Sequence, residues 1–252
     1  MEWVKSPGGL RSLGAAAVAA AVCGCAAGPE DPPDEGGDQL PGARFQAAVE
    51  LIHRGELDSG AVALRQVLRA DSAHYGARLG LGEILMRQRK FPEALRELER
   101  AVGLEPGRPE ARMQQARVLV MLERRAEARG LLVSLVEDFP DRARPRMMLA
   151  DLLMTRAPPD PQGALEQYEA VLRNNPGDSR ARAGAAASRL RLGDFETAAE
   201  EMSGLVAANP GKIHLAFLLG TAHHWLGEYE AAIAAYRQAL DSTPKGAPRP
   251  QR

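Results

Sequence analysis

Aromatic residues make up only 4% of this 252-residue chain, although 45% of it is apolar. Small and aliphatic side chains therefore carry the apolar share, which points to helices packed closely on helices through alanine rather than to a core built on large rings. Cysteine is nearly missing as well: the two present, Cys23 and Cys25, both precede residue 30. The rest of the chain can hold neither a disulfide framework nor a cysteine-based zinc site. No excess of one charge exists either, since 32 basic residues face 33 acidic ones for a net charge of −1. That balance removes the basic footprint expected of a nucleic-acid-binding protein.

What is present begins with an address. Lys5 and Arg11 precede an Ala-rich apolar run from Leu13 to Val22, which is too short to span a bilayer. A positive start, a short apolar run and a small-residue site together read as a secretory signal peptide. Val22-Cys23-Gly24-Cys25 resembles the lipobox of bacterial lipoproteins, except that Cys23 stands where that family has Ala or Ser. The resemblance implies cleavage after Gly24, diacylglycerol on Cys25 and, because Ala26 rather than Asp follows, an outer-membrane location facing the periplasm. Ordinary secretion with cleavage near Ala27, or an uncleaved anchor, remain as alternatives. Residues 26–40 hold five acidic side chains, no basic ones and almost nothing apolar, so they read as a disordered tether. Such a coil reaches an r.m.s. distance of roughly 20 Å.

The body of the chain is periodic. Glu105-Pro106, Phe139-Pro140, Asn175-Pro176, Asn209-Pro210 and Thr243-Pro244 follow apolar runs at spacings of 34, 36, 34 and 34 residues, with Ser72 in the corresponding place of the first repeat. This fixes six units, 41–74, 75–108, 109–142, 143–178, 179–212 and 213–246, preceded by leader 1–24 and tether 25–40 and followed by a disordered tail, 247–252. The eighth residue of each unit is Ala48, Gly82, Ala116, Ala150, Ala186 or Gly220, and the twentieth is Gly60, Ala94, Ala128, Ala164, Ala198 or Ala232. Small residues are needed there because the two antiparallel helices of a unit touch. Gly55, Gly193 and Gly227 suit the left-handed end of a first helix, and proline stops the second. Leu64, Leu98, Leu132, Tyr168, Met202 and Tyr236 fill the space between layers.

These positions resemble the tetratricopeptide repeat, most closely in the second unit, with Leu81-Gly82 and Ala94, and the sixth, with Leu219-Gly220, Gly227, Tyr229, Ala232, Tyr236 and Ala239. The resemblance implies an all-α fold, a right-handed α-α superhelical solenoid of six helix-turn-helix units with a concave and a convex side. It also implies that the first helices line the concave groove. The groove residues carried over are Phe45, Val49, Ile52, Leu79, Met86, Met113, Arg117, Met121, Met147, Met154, Leu190, Phe217, His224 and Trp225. Methionine adapts to varied apolar partners, so this set reads as a groove for an amphipathic helix or an extended apolar segment of another protein. The competing reading is that a tightly wound solenoid buries the methionines in its core. Arg44, Arg78, Arg112, Arg146 and Arg182 recur at the fourth position of five units. They read either as a cationic ladder or, more simply, as stems packed between layers with guanidinium groups capping helix ends.

No catalytic constellation is visible, and neither a cofactor nor a metal is implied. His223 and His224 are adjacent and so point in different directions on a helix, and the glycines of Leu79-Gly80-Leu81-Gly82 have no strand before them. Apolar residues on more than one face of the segment 229–240 suggest an edge covered by a partner or a second copy. The resemblance implies a non-enzymatic, membrane-tethered adaptor for another envelope protein. Specific versions are a pilotin-like factor, a helper in outer-membrane assembly or cytochrome maturation, and a regulatory non-catalytic subunit that presents substrate to an enzyme.

Overall fold

A computed structural model describes residues 41–155 and 158–242. The leader, Cys25, the tether and the tail lie outside the described residues. Twelve helices follow one another: α1 (Pro41–His53), α2 (Leu57–Ala70), α3 (Tyr75–Arg87), α4 (Phe91–Leu104), α5 (Pro109–Met121), α6 (Arg125–Asp138), α7 (Ala143–Thr155), α8 (Pro161–Asn174), α9 (Ser179–Leu192), α10 (Phe195–Ala208), α11 (Ile213–Trp225) and α12 (Tyr229–Asp241). Among the described residues there are no strands. Each helix packs on the one before and the one after, which makes a superhelical solenoid of helix pairs.

Local chemistry sets the boundaries. Proline occupies the first turn of α4, α5 and α8, where its missing N–H is no loss. Side-chain caps accept from the first free amides of other helices: Asp160 from Gly163 N at 2.9 Å, Asp178 from Ala181 N at 2.9 Å, and His74 Nδ1 from Ala77 N at 3.1 Å. Five first helices end on residues of positive φ, glycine at Gly55, Gly193 and Gly227 but Arg89 at 61° and Glu123 at 59°. Those two non-glycine residues carry a backbone penalty that the sequence pattern did not reveal.

Close approach explains the small positions. A Cβ on Gly82 would lie 2.8 Å from Leu98, and one on Gly60 would lie 2.9 Å from Ile52 of the same unit. Leu64, Leu98 and Leu132, which stand between the layers, are fully buried. Burial of each stabilises the solenoid by about 2–3 kcal/mol before ordering entropy is set against it. One continuous core runs from Ala48 to Ala185, and a second from Ala186 to Ala239. Neighbouring alanines of α9 thus face different cores, because successive side chains on a helix point about 100° apart.

In the second, third and fourth units the arginine ladder is structural. Arg78 donates through Nε to the carbonyl of Ser72 at 3.0 Å and pairs with Glu97 at 2.8 Å. Arg146 likewise donates to the Pro140 carbonyl and to Gln167, each at 3.0 Å, while Arg112 pairs with Asp138 at 2.7 Å and donates to Ser134. In Arg78 and Arg146 the guanidinium ties the turn before a unit to that unit's second helix.

Candidate functional site

The first helices of the third, fourth and fifth units surround an open cavity of about 860 Å³. From α5 come Ala116, Arg117, Val120 and Met121; from α7 come Arg144, Met147, Met148, Asp151 and Leu152; Asp178 and Arg180 stand at the start of α9. Leu132 of α6 contributes from the second layer. An apolar patch with a few polar groups converging on it is the usual form of a recognition site.

Of the residues expected in the groove, Arg117, Met121 and Met147 meet at this cavity. Met121 is 57% exposed. Met113 and Met147 are a correction to the open-groove reading: they are only 5% and 6% exposed and belong to the core. Neighbouring first helices touch directly, α5 with α3 and α7 with α9, and this close winding leaves little of the fifth position uncovered. Phe45 shows the same approach at the first unit, its ring 3.0 Å from where a Cβ on Gly76 of α3 would stand. Ile52 turns toward Gly60 of its own unit instead of into a groove. Val49 is half-buried, and Leu79, Met86 and Met154 are half-buried against the main core, as Leu190 is against the second. Ser188 Oγ donates to the Gly184 carbonyl at 2.9 Å and stands 3.3 Å from the Met154 sulfur.

His224 and Trp225 lie elsewhere, in an exposed aromatic cluster at the end of α11, while the exposed Phe217 meets the Tyr236 ring with centroids 5.6 Å apart. Trp225 stacks on Phe195 with centroids 5.7 Å apart, and the His224 ring meets Trp225 and Tyr229 edge-on. The expected single groove is therefore divided into a central cavity and a terminal aromatic patch.

Charge inside the cavity is partly satisfied. Asp151 accepts from Tyr168 Oη and from Arg180 Nη2, each at 2.6 Å. Burial, and next the bond to Asp151, push the Tyr168 hydroxyl above the ordinary tyrosine range. Asp178 is committed to amides at the start of α9. Arg117 donates to Gln114 Oε1 at 2.7 Å, and Gln114 donates to Glu83 at 2.6 Å. Among the described residues neither Arg117 nor Arg144 forms an ion pair. Met148 and the Tyr168–Asp151–Arg180 cluster escaped the sequence reading. One signal was available: Tyr168 stands at an interlayer position held by leucine in the first three units, and Gly184 supplies the space, since a Cβ there would lie 2.4 Å from the ring.

Among the described residues no group of three or more His, Cys, Asp or Glu could hold a metal ion, and no helix is long and apolar enough to cross a membrane.

Tetratricopeptide repeat family models match residues 85–152 and residues 45–109, 159–213 and 185–247. No functionally curated protein sequence matches the chain. Among solved structures, the chain is similar to PilW, described as a widely conserved type IV pilus biogenesis factor, with TM-score 0.71 and 16% identity over 83% of this chain and 96% of that one. It is similar to Pseudomonas aeruginosa pilF with TM-score 0.69 and 18% identity, covering 82% and 93% of the two chains. It is also similar to YrrB, described as having an unusual peptide-binding site, with TM-score 0.60 and 18% identity over 74% and 95%. At these identities the structures speak for the fold alone. The family models cover most of the repeat region, and the chain belongs to the tetratricopeptide repeat family.

Proposed function

We propose that the protein is a non-enzymatic, membrane-tethered adaptor that holds an apolar or amphipathic segment of another envelope protein. The observation that carries this reading is the cavity between α5, α7 and α9, where exposed Met121 and half-buried Met148 stand beside arginines that have no acidic partner. The repeat family supplies protein-interaction scaffolds, and the YrrB description as a peptide-binding repeat protein agrees with a segment as the ligand. Tethering rests on the leader and on Cys25, with an outer-membrane, periplasm-facing location following from Ala26. The pilus biogenesis role described for PilW favours a helper in assembling an envelope apparatus.

Two measurements test this. Metabolic labelling with a fatty-acid analogue labels the wild type and not Cys25→Ala; equal labelling of both removes the anchor. Pull-down from detergent-solubilised envelopes recovers a partner with the wild type and loses it with Met148→Glu, whereas recovery by both moves the contact away from the cavity.

A second contact surface is favoured by one observation. Leu240 is 71% exposed on the outer edge of α12, beside exposed Tyr229 and Ile233. A second copy of the chain packed there would cover the edge. Sedimentation tests it: dimers that Leu240→Glu dissociates support this contact, and a monomer at all concentrations rules it out.

A further inference from the structure

We infer that the segment held in the central cavity is acidic as well as apolar, with carboxylates flanking its apolar side chains. This rests on the groove reading and adds the charge of the ligand. Three arginines and two aspartates line the cavity. Arg180 is closed by Asp151, and the Asp178 carboxylate accepts from the amides of Arg180 and Ala181. Arg117 and Arg144 are left: both are exposed, they belong to different helices, and the polar partner of Arg117 is the neutral Gln114. The apolar surface of Val120, Met121 and Met148 is part of the same lining. Cations without an acidic partner beside an apolar surface favour an anionic amphipathic partner and repel a cationic one. Charge balance over the whole repeat region hides this preference, because residues 41–244 hold 27 basic and 27 acidic side chains. It becomes visible only when the ion pairs are assigned.

The test uses the 252-residue chain and three synthetic peptides of equal length with the same leucine stripe at helical spacing, whose polar positions are all Glu, all Gln or all Lys. Fluorescence anisotropy at low salt gives the affinities. The Glu peptide binds about tenfold tighter than the Gln peptide and the Lys peptide more weakly than either, and salt narrows the spread. Arg117→Gln with Arg144→Gln removes the difference in affinity between the Glu and Gln peptides. Circular dichroism checks that this variant folds, as expected for two exposed side chains without ion pairs. Equal binding of Glu and Gln peptides to the wild type, or a preference that survives in the double variant, overturns the inference and leaves the groove reading standing. Binding of none of the three overturns both.

Discussion

Val206 and Leu240 occupy the same repeat position in the fifth and sixth units, yet Val206 is 5% exposed and Leu240 is 71% exposed. Val206 shares a core with Leu215 and Leu219 of α11, whereas no thirteenth helix among the described residues covers Leu240. The same shift separates Phe195, stacked by Trp225, from Tyr229, whose equivalent face is exposed. Burial at these positions is supplied by the following unit and not by the residue itself. A solenoid is close to one-dimensional, so its interior units are held from two sides and its last unit from one. At the opposite end, α1 carries Glu50 and Arg54 as an exposed pair 3.8 Å apart.

Substitutions can sharpen or break this contrast. The largest effect is expected in the interior, where Leu98→Ala leaves a cavity between layers and costs about 2–5 kcal/mol by denaturant unfolding. A smaller loss, about 1.5–3 kcal/mol, follows Tyr168→Phe, which leaves Asp151 without one of its charge-assisted partners. That variant also changes the pH profile. Tyr168 keeps its proton in the folded chain above its ordinary value of 10.0, so its contribution is whole below that pH and is lost as pH rises further. Alkaline destabilisation should therefore be shallower in Tyr168→Phe; identical profiles would contradict the buried hydroxyl.

Next comes the matched pair. In dilute solution, where the chain is monomeric, Val206→Ala costs about 1.5 kcal/mol for two buried methyl groups, while Leu240→Ala stays within about 0.5 kcal/mol despite the larger side chain removed. Equal costs would mean that the edge of α12 is covered in solution. The smallest effect has the opposite sign. Arg89→Gly and Glu123→Gly relieve a left-handed backbone at the ends of α3 and α5 and raise stability by about 0.5 kcal/mol each, the strain relief being partly offset by unfolded-state entropy. Hydrogen exchange should order the units the same way, with α12 opening before α3 to α8.

The period was legible because its causes are local. Small residues at Gly82 and Gly60 and proline after five of the six second helices follow from helices touching and stopping, and each leaves a one-letter mark. The cavity was legible only in part. Arg117, Met121 and Met147 were expected from repeat position, yet Met113 and Met147 are buried, because how tightly first helices wind on one another is not written at a single position. The pairing of Arg180 with Asp151 was not legible: it joins residues 29 apart on consecutive first helices, and exposed charges look alike in sequence until a fold assigns their partners.

The claim that the central cavity is where the partner sits is tested most directly by photo-crosslinking in the native host. A photoreactive amino acid placed at Met148, inside the cavity, should give a discrete adduct that excess acidic amphipathic peptide abolishes. The same group at Arg129, exposed on α6, should give none. An adduct from Arg129 with nothing from Met148 would contradict the account.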